Sequence, residues 1–248
     1  MHTRQSNDLA RRDLEIRHSC SKCDIRDRGY FCELHQSSVD RLEGVKLTKA
    51  YPKGTMLFVE GQPAIGVYLL CQGRVKLSTC SPEGKIMILG IAEPGDVLGL
   101  SAVIAGGDHE STAEVLEICQ VNFVPADEFN HLLSTDTEVC LNAVRQLCRS
   151  YREAHRMVCS LGHSDSAVTK LAKLFLGWSR NGFRTNGHIL VKNSFTHEEI
   201  AEMIGTTRET VTRSLRELRE RGLVTLKGSD LIIHDPERLR TSAGVPGR

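Results

Sequence analysis

The chain has 248 residues, 32 Lys and Arg against 31 Asp and Glu, a formal net charge of +1 and 40% hydrophobic residues. That length allows one or two domains, and no apolar run approaches the about 18 residues of a membrane-spanning helix, which argues against a membrane protein. Near-neutral charge argues against a strongly basic, non-specific nucleic-acid binder, while the polar start MHTRQSNDLARRDLEIRH lacks the apolar core of a signal peptide. The chain is therefore expected in the cytoplasm, with its nine cysteines mostly reduced rather than paired in a disulfide framework.

In chain order, the first chemical signal is HSCSKCDIRDRGYFC, which places Cys20, Cys23 and Cys32 in a C-x2-C-x8-C arrangement. Three clustered thiolates suit a soft metal centre, an iron-sulfur cluster or zinc, and a loop containing Gly29 can wrap around either. Zinc would make a closed four-ligand site, which His18 or His35 could complete. A thiol redox switch and no metal at all are the other readings. From about Leu42 to Phe129 short apolar runs (MLFV, VYLL, VKLS, IMILGIA) alternate with turn signals at Pro52-Lys53-Gly54, Gly61, Gly66, Gly73, Glu83-Gly84 and Pro94-Gly95-Asp96. This spacing predicts an antiparallel β-barrel or roll. A long helix is predicted from about Thr135 to Gly162. In it Cys140, Val144, Leu147, Tyr151, Ala154, Val158 and Leu161 follow the a/d spacing of a two-stranded coiled coil, so a homodimer interface is expected there.

The segment Phe195 to Val224 reads as two helices joined by a tight turn. Thr196 and Glu199 form a capping-box pattern, Phe195 sits at the staple position, and Gly205 permits the turn. The second helix starts near Thr207 and ends at Gly222, with Val211, Leu215 and Leu218 on its apolar face. Its other face is left to Arg208, Glu209, Thr212, Arg213 and Arg216, residue types that read base edges. Two β-rich runs around Lys227-Gly228-Ser229-Asp230 add a hairpin wing. The expected α+β organisation is an arm over 1–36, an antiparallel β-roll over 37–133, a dimerisation helix over 134–163, a winged helix-turn-helix over 164–240 and a disordered tail over 241–248.

This order resembles the CRP/FNR family of bacterial transcription regulators. The resemblance is carried by EGQPAIGVYLLCQGRVKL (Glu60–Leu77), PGDVLG (Pro94–Gly99) and TTRETVTRSLRELRERGLV (Thr206–Val224), and it covers nearly the whole chain. It implies a roll of the cyclic-nucleotide-binding type and a homodimer on palindromic promoter DNA, with RNA polymerase as a further partner. The family's nucleotide site wants an acidic residue where Leu100 stands and an arginine where Ser111 stands. Neither replacement supplies the needed contact and only Thr112 matches, so cyclic AMP is not expected to bind.

The FNR branch carries a four-iron, four-sulfur cluster on a similar cysteine group, usually with a shorter second spacing. Its fourth ligand falls here on Asn122, a poor replacement for cysteine. Cys119, three residues earlier, is assigned as the fourth ligand on condition that a bulge or register shift turns it, since strand alternation points it to the opposite face. Cys71 and Cys80 are the other roll candidates. Cys140, Cys148 and Cys159 are read as helix packing. Matching the recognition helix to the family places Arg208, Glu209 and Arg213 on the base-contacting positions. Thr212 and the helix-start residues Thr196 and Thr207 complete the candidate DNA contacts. Arginine at the first position is the CRP-like choice and predicts TGTGA half-sites rather than TTGA.

Two other readings stand beside the cluster: a regulator responding to a small molecule in the roll or to thiol oxidation, and an electron-transfer or redox enzyme. The second lacks a phosphate loop, a flavin fingerprint or a nucleophile elbow, and His109 has no evident acid or base partner.

Overall fold

The computed structural model describes residues 16, 19–21, 23, 29–162, 165–179, 182–185, 187–192, 195–227 and 230–244. They fall into two compact units, Met1–Glu153 and Ala154–Arg248. Among the described residues no helix is long and apolar enough to cross a membrane.

The first unit runs α1 (Gln36–Val45), β1 (Leu47–Tyr51), β2 (Met56–Phe58), β3 (Gly66–Gln72), β4 (Val75–Cys80), β5 (Ile86–Ala92), β6 (Val97–Leu98), α2 (Leu100–Ala105), β7 (Thr112–Val115), β8 (Cys119–Pro125), α3 (Ala126–Thr135) and most of α4 (Thr137–Gly162). Its strands form two four-stranded sheets, ordered β1-β8-β3-β6 and β2-β7-β4-β5, with every pairing antiparallel. This is the expected roll.

The first sheet is buried on both faces, and period-2 alternation sorts its side chains. Tyr68, Leu70, Cys119 and Val121 point into the roll interior with Leu57, Phe58 and Val75. Val67, Leu69 and Val124 point the other way, against Phe31, Leu42, Leu100, Phe129 and Val139 from the arm and helices. Helix α1 was not foreseen, and Leu42 belongs to it rather than to the β region. Gly66 is no turn: it opens β3, where a Cβ would strike the Val124 carbonyl and the Phe123 ring.

The long helix starts later than expected. The chain bends at Asp136, whose carboxylate accepts hydrogen bonds from the Glu138 and Val139 amides at 3.0 and 3.2 Å and so caps α4. One face of α4 buries Val139, Asn142, Ala143 and Gln146. Another exposes large apolar groups: Leu141 and Val144 at 50%, Tyr151 at 71% and Val158 at 67%. Of the expected stripe, Cys140 and Leu147 are half-buried, Leu147 against the unit's own core, and the side chain of Leu161 lies outside the described residues.

The second unit contains α5 (Ala167–Trp178), β9 (Phe183–Thr185), β10 (His188–Lys192), α6 (His197–Ile204), α7 (Arg208–Glu220), β11 (Val224–Lys227), β12 (Asp230–Ile233) and α8 (Pro236–Ser242). The wing strands β11 and β12 join β10 and β9 in one sheet, ordered β11-β12-β10-β9. Leu171, Phe175, Ile200, Val211, Leu218, Leu231 and Ile233 form the core. Each such side chain contributes roughly 1.5–3 kcal/mol on burial. The fold does not stop at 240. Helix α8 runs to Ser242 and Ala243 is fully buried in this core, so 241–244 are no disordered tail; 245–248 lie outside the described residues.

Candidate DNA-reading face and cysteine cavity

Two sites emerge from the sequence motifs, one in each unit. In the second unit Thr196 caps α6 in a full capping box, accepting from the Glu199 amide at 3.2 Å while the Glu199 carboxylate accepts from the Thr196 amide at 2.7 Å. Gly205 then adopts φ 64°, a left-handed conformation that costs a side-chain-bearing residue strain. Thr207 caps α7 by accepting from the Thr210 amide at 3.3 Å.

Burial of Val211, Ser214, Leu215 and Leu218 leaves Arg208, Glu209, Thr212, Arg213 and Arg216 exposed, lining one open groove with His197 and Arg219. Thr212 donates to the Arg208 carbonyl at 2.9 Å and lies 2.9 Å from the Nδ1 of His197. The Glu209 carboxyl is held below the usual range by its own backbone amide, then the Thr207 hydroxyl and the Arg208 charge, so it is an acceptor. The structure thus brings Arg208, Glu209, Thr212 and Arg213 to one groove. Thr196 and Thr207 stand outside the groove as caps, and His197 and Arg219 were not singled out from the sequence.

The arm folds over the first sheet of the roll. The Cys23 amide donates to the Cys20 carbonyl at 3.3 Å and the Cys32 amide to the Gly29 carbonyl at 2.8 Å. Gly29 lies so close to the Gly95 backbone that any Cβ would collide with it, which explains glycine in the loop. Phe31 anchors the arm 5.9 Å from Phe129.

The arm brings Cys20, Cys23 and Cys32 to a small cavity whose wall on the sheet side carries Leu69, Cys71 and Asn122. Cys71 follows Val67 and Leu69 on the face of β3 turned toward the arm, at a register shift between Leu70 and Gln72. Asn122, on β8, pairs with Leu69 and faces the same way. The assignment of Cys119 as fourth ligand is corrected here. No bulge turns it: its thiol is fully buried inside the roll, donating to the carbonyls of Glu117 at 3.2 Å and Arg74 at 3.4 Å. Cys71 is the roll cysteine that meets the arm, and Cys80 is exposed on β4.

His35 is exposed and pairs with the Glu138 carboxylate on α4 rather than lining the cavity; His18 lies outside the described residues. Burial, followed by the neighbouring cysteines, pushes the thiols of Cys32 and Cys71 up to about 12. Burial also raises Cys20, with Lys46 opposing. The thiols of Cys20, Cys32 and Cys71 are therefore held in the neutral form, and a metal group binding them must displace their protons. Among the described residues no three His, Cys, Asp or Glu side chains are placed to hold a single metal ion.

The residues at the family's nucleotide positions lie in the roll. Leu100 is buried in the apolar core, and Thr112 accepts from the Glu60 amide at 3.1 Å. His109 is buried, stacks 3.8 Å from Phe58, and its Nδ1 has no hydrogen-bond partner among the described residues.

Comparison with known proteins agrees with both units. The family model described as a cyclic nucleotide-binding domain matches residues 48–136, and that of the Crp-like helix-turn-helix domain matches 169–242. The CRP-like cAMP-activated global transcriptional regulator of Mycobacterium tuberculosis is 27% identical over 215 residues, covering 87% of this chain and 96% of that protein. The anaerobic regulatory protein of Pasteurella multocida is 26% identical over 231 residues, 91% of this chain and 83% of that one. The solved structure of FixK2 from Bradyrhizobium japonicum superposes with a TM-score of 0.73 at 23% identity, covering 82% of this chain and all of that one. Two matched domains in the family's order, and relatives that are transcription regulators rather than enzymes, make this chain a member of the CRP/FNR family of transcription regulators.

Proposed function

We propose that this regulator is a cytoplasmic homodimer that senses oxygen, nitric oxide or redox state through a four-iron, four-sulfur cluster and passes the signal to promoter DNA and RNA polymerase. The observation that carries the reading is the convergence of Cys20, Cys23 and Cys32 with Cys71 on one cavity. Four thiols are the donor set such a cluster takes. Zinc would need all four sulfurs about 2.3 Å from one point, an arrangement the described residues do not hold preformed. The cavity is about 30 Å³, room for one water, so a cluster would enter only as the thiols lining it spread apart. When bound, the cluster supplies an oxygen-labile redox centre.

The chain's own residues do the rest. The arm presents three thiolates and β3 the fourth. Arg208, Glu209 and Arg213 suit a G·C-containing half-site of the TGTGA type, because arginine bonds guanine O6 and N7 and glutamate accepts from the cytosine amino group. The exposed apolar groups of α4 supply the dimer seam. Buried Leu100 and the absence of a cation at Ser111 argue against cyclic AMP as effector.

The test is the visible absorption spectrum and iron content of protein purified without air, followed by retardation of a palindromic DNA fragment before and after exposure to air. A cysteinyl iron-sulfur band, and DNA affinity that falls as the band bleaches, are expected, and Cys23→Ser should remove both. DNA affinity indifferent to iron and air would refute the sensing role.

A further inference from the structure

We infer that Lys46 and Asn122 tune the cysteine site by donating hydrogen bonds to the sulfur of Cys20, an inference that rests on the cluster reading above. Cys20 is held unlike its neighbours. The end of α1 grips it from two sides: its backbone amide donates to the Glu43 carboxylate, and the Lys46 ammonium, at the C-cap of the same helix, lies 3.3 Å from its Sγ. The Nδ2 of Asn122 approaches the same sulfur at 3.8 Å. Cys71, by contrast, spends its own S–H on the Leu69 carbonyl at 3.7 Å.

Asn122 is 2% exposed on a sheet face otherwise lined by Val67, Leu69 and Val124, where an unbonded amide would cost roughly 1–3 kcal/mol. Its orientation is fixed from behind. Thr48, its partner across the β1–β8 pairing, donates to Oδ1 at 2.8 Å, which leaves the NH2 group for the sulfur. A side chain too poor a ligand to bind iron is thus built in as a hydrogen-bond donor to one that does.

N–H and ammonium donors stabilise whichever state places more negative charge on the sulfur, which is the reduced cluster, and they hold the thiolate in place. Removing them disfavours reduction and loosens the ligand. Reduction here moves one electron from the reductant to the cluster, with no bond made or broken.

The experiment uses full-length protein reconstituted anaerobically with iron and sulfide, in the wild type, Lys46→Met, Asn122→Leu and Lys46→Arg. Mediated titration with dithionite gives the potential, and an iron chelator added in air gives the release rate. Lys46→Met should shift the balance about tenfold toward the oxidised form, about 59 mV lower for a one-electron couple, and release iron at least tenfold faster. Asn122→Leu should shift in the same direction, and Lys46→Arg, which keeps a charged donor, should stay near the wild type. Lys46 lies at a helix end, so Lys46→Met carries the test even where the buried Asn122→Leu folds poorly. Loaded variants with wild-type potential and release rate overturn this inference alone, whereas a wild type that takes up no iron overturns the cluster reading and this inference with it.

Discussion

Exchanging Cys71 and Cys119 one at a time separates the site seen in the structure from the one that the family's fourth-ligand position suggested. Cys71→Ser keeps a side chain of similar size whose hydroxyl can still donate to the Leu69 carbonyl, so the roll should fold. It nevertheless replaces a soft sulfur by a hard oxygen at the cavity wall. Loss of a partner outside the coordination shell already costs roughly 10- to 100-fold in metal affinity. Loss of a direct ligand should exceed that, and the purified variant should carry little iron and no visible band. Cys119→Ala removes a sulfur with no exposure from the roll interior, within the buried apolar cluster that holds Leu70, Val75 and Val121. Deleting a group about the size of a methylene costs roughly 1–2 kcal/mol with its residual cavity. Against a domain stability of about 5–15 kcal/mol the protein stays folded, melts a few degrees lower and keeps its iron. Iron per chain, the anaerobic spectrum and a melting curve on both variants decide the matter. Iron lost from Cys119→Ala and retained by Cys71→Ser would reinstate β8 as the source of the ligand. Iron retained by both would refute a ligand role for either Cys71 or Cys119.

Three further outcomes test other parts of the molecule. Arg208→Val should relax or invert the preference between GTGA and TTGA half-sites at a loss of about 1–3 kcal/mol on GTGA, and Arg213→Ala should weaken both; wild-type selection returning TTGAT would mean that Arg208 does not read a base. Tyr151→Glu sets like charges opposite each other in the exposed apolar stripe of α4, so sedimentation should show a weakened dimer and DNA affinity should drop with it; an unchanged dimer places the seam elsewhere. Asp136→Ala should cost about 1 kcal/mol through the lost cap of α4. The Ser38 hydroxyl and the Val139 and Glu138 amides outweigh burial and hold this carboxyl below its ordinary value, so its contribution is present above about pH 4 and disappears on acidification. Denaturant titrations should therefore show a larger difference between the two proteins at pH 7 than at pH 3, and an equal difference at both would refute the charged cap.

What the sequence revealed and what it hid divide along the range of the interactions. The reading helix was legible because its determinants are local: a Thr196–Glu199 box, a left-handed Gly205 and an apolar spacing of three and four, all within 30 residues. Strand alternation even held the correct objection to Cys119, that it points away from Asn122. Which roll cysteine replaces it was not legible, because the approach of Cys71 to Cys20 joins residues 51 positions apart and depends on a register shift within β3. The four strands of the second unit's sheet were half foreseen for the same reason: β11 and β12 form a local hairpin, whereas β10 meets β12 across some 40 residues. Asn122 shows the deeper limit. In the sequence it is a missing ligand, and only the positions of Thr48 and Cys20 reveal a donor.

Helix α4 is where the proposed signal has to cross, and the energies involved are small enough for the observed contacts to matter. The arm is fastened to its buried side. The Tyr30 carbonyl accepts from Asn142 at 2.7 Å, the Tyr30 ring lies 5.8 Å from the Arg149 guanidinium, Arg149 pairs with Asp96 beside the Pro94-Gly95 turn, and Glu138 pairs with His35. The exposed His35 pair is worth about 0–1 kcal/mol and decides little. The half-buried Arg149–Asp96 pair and the buried Asn142 amide are the contacts with leverage, since a buried donor left without its acceptor costs roughly 1–3 kcal/mol. Every 1.4 kcal/mol is a factor of ten in an equilibrium. An arm displaced as its thiols take up or lose a metal group would therefore need to disturb only Asn142 and Arg149 to change the population of one α4 conformation by ten- to a hundredfold. The apolar groups that meet the partner chain in the proposed dimer, Val144 and Tyr151, each stand two residues from one of those two, so the sensing and dimerising faces share the same stretch of about three turns of one helix.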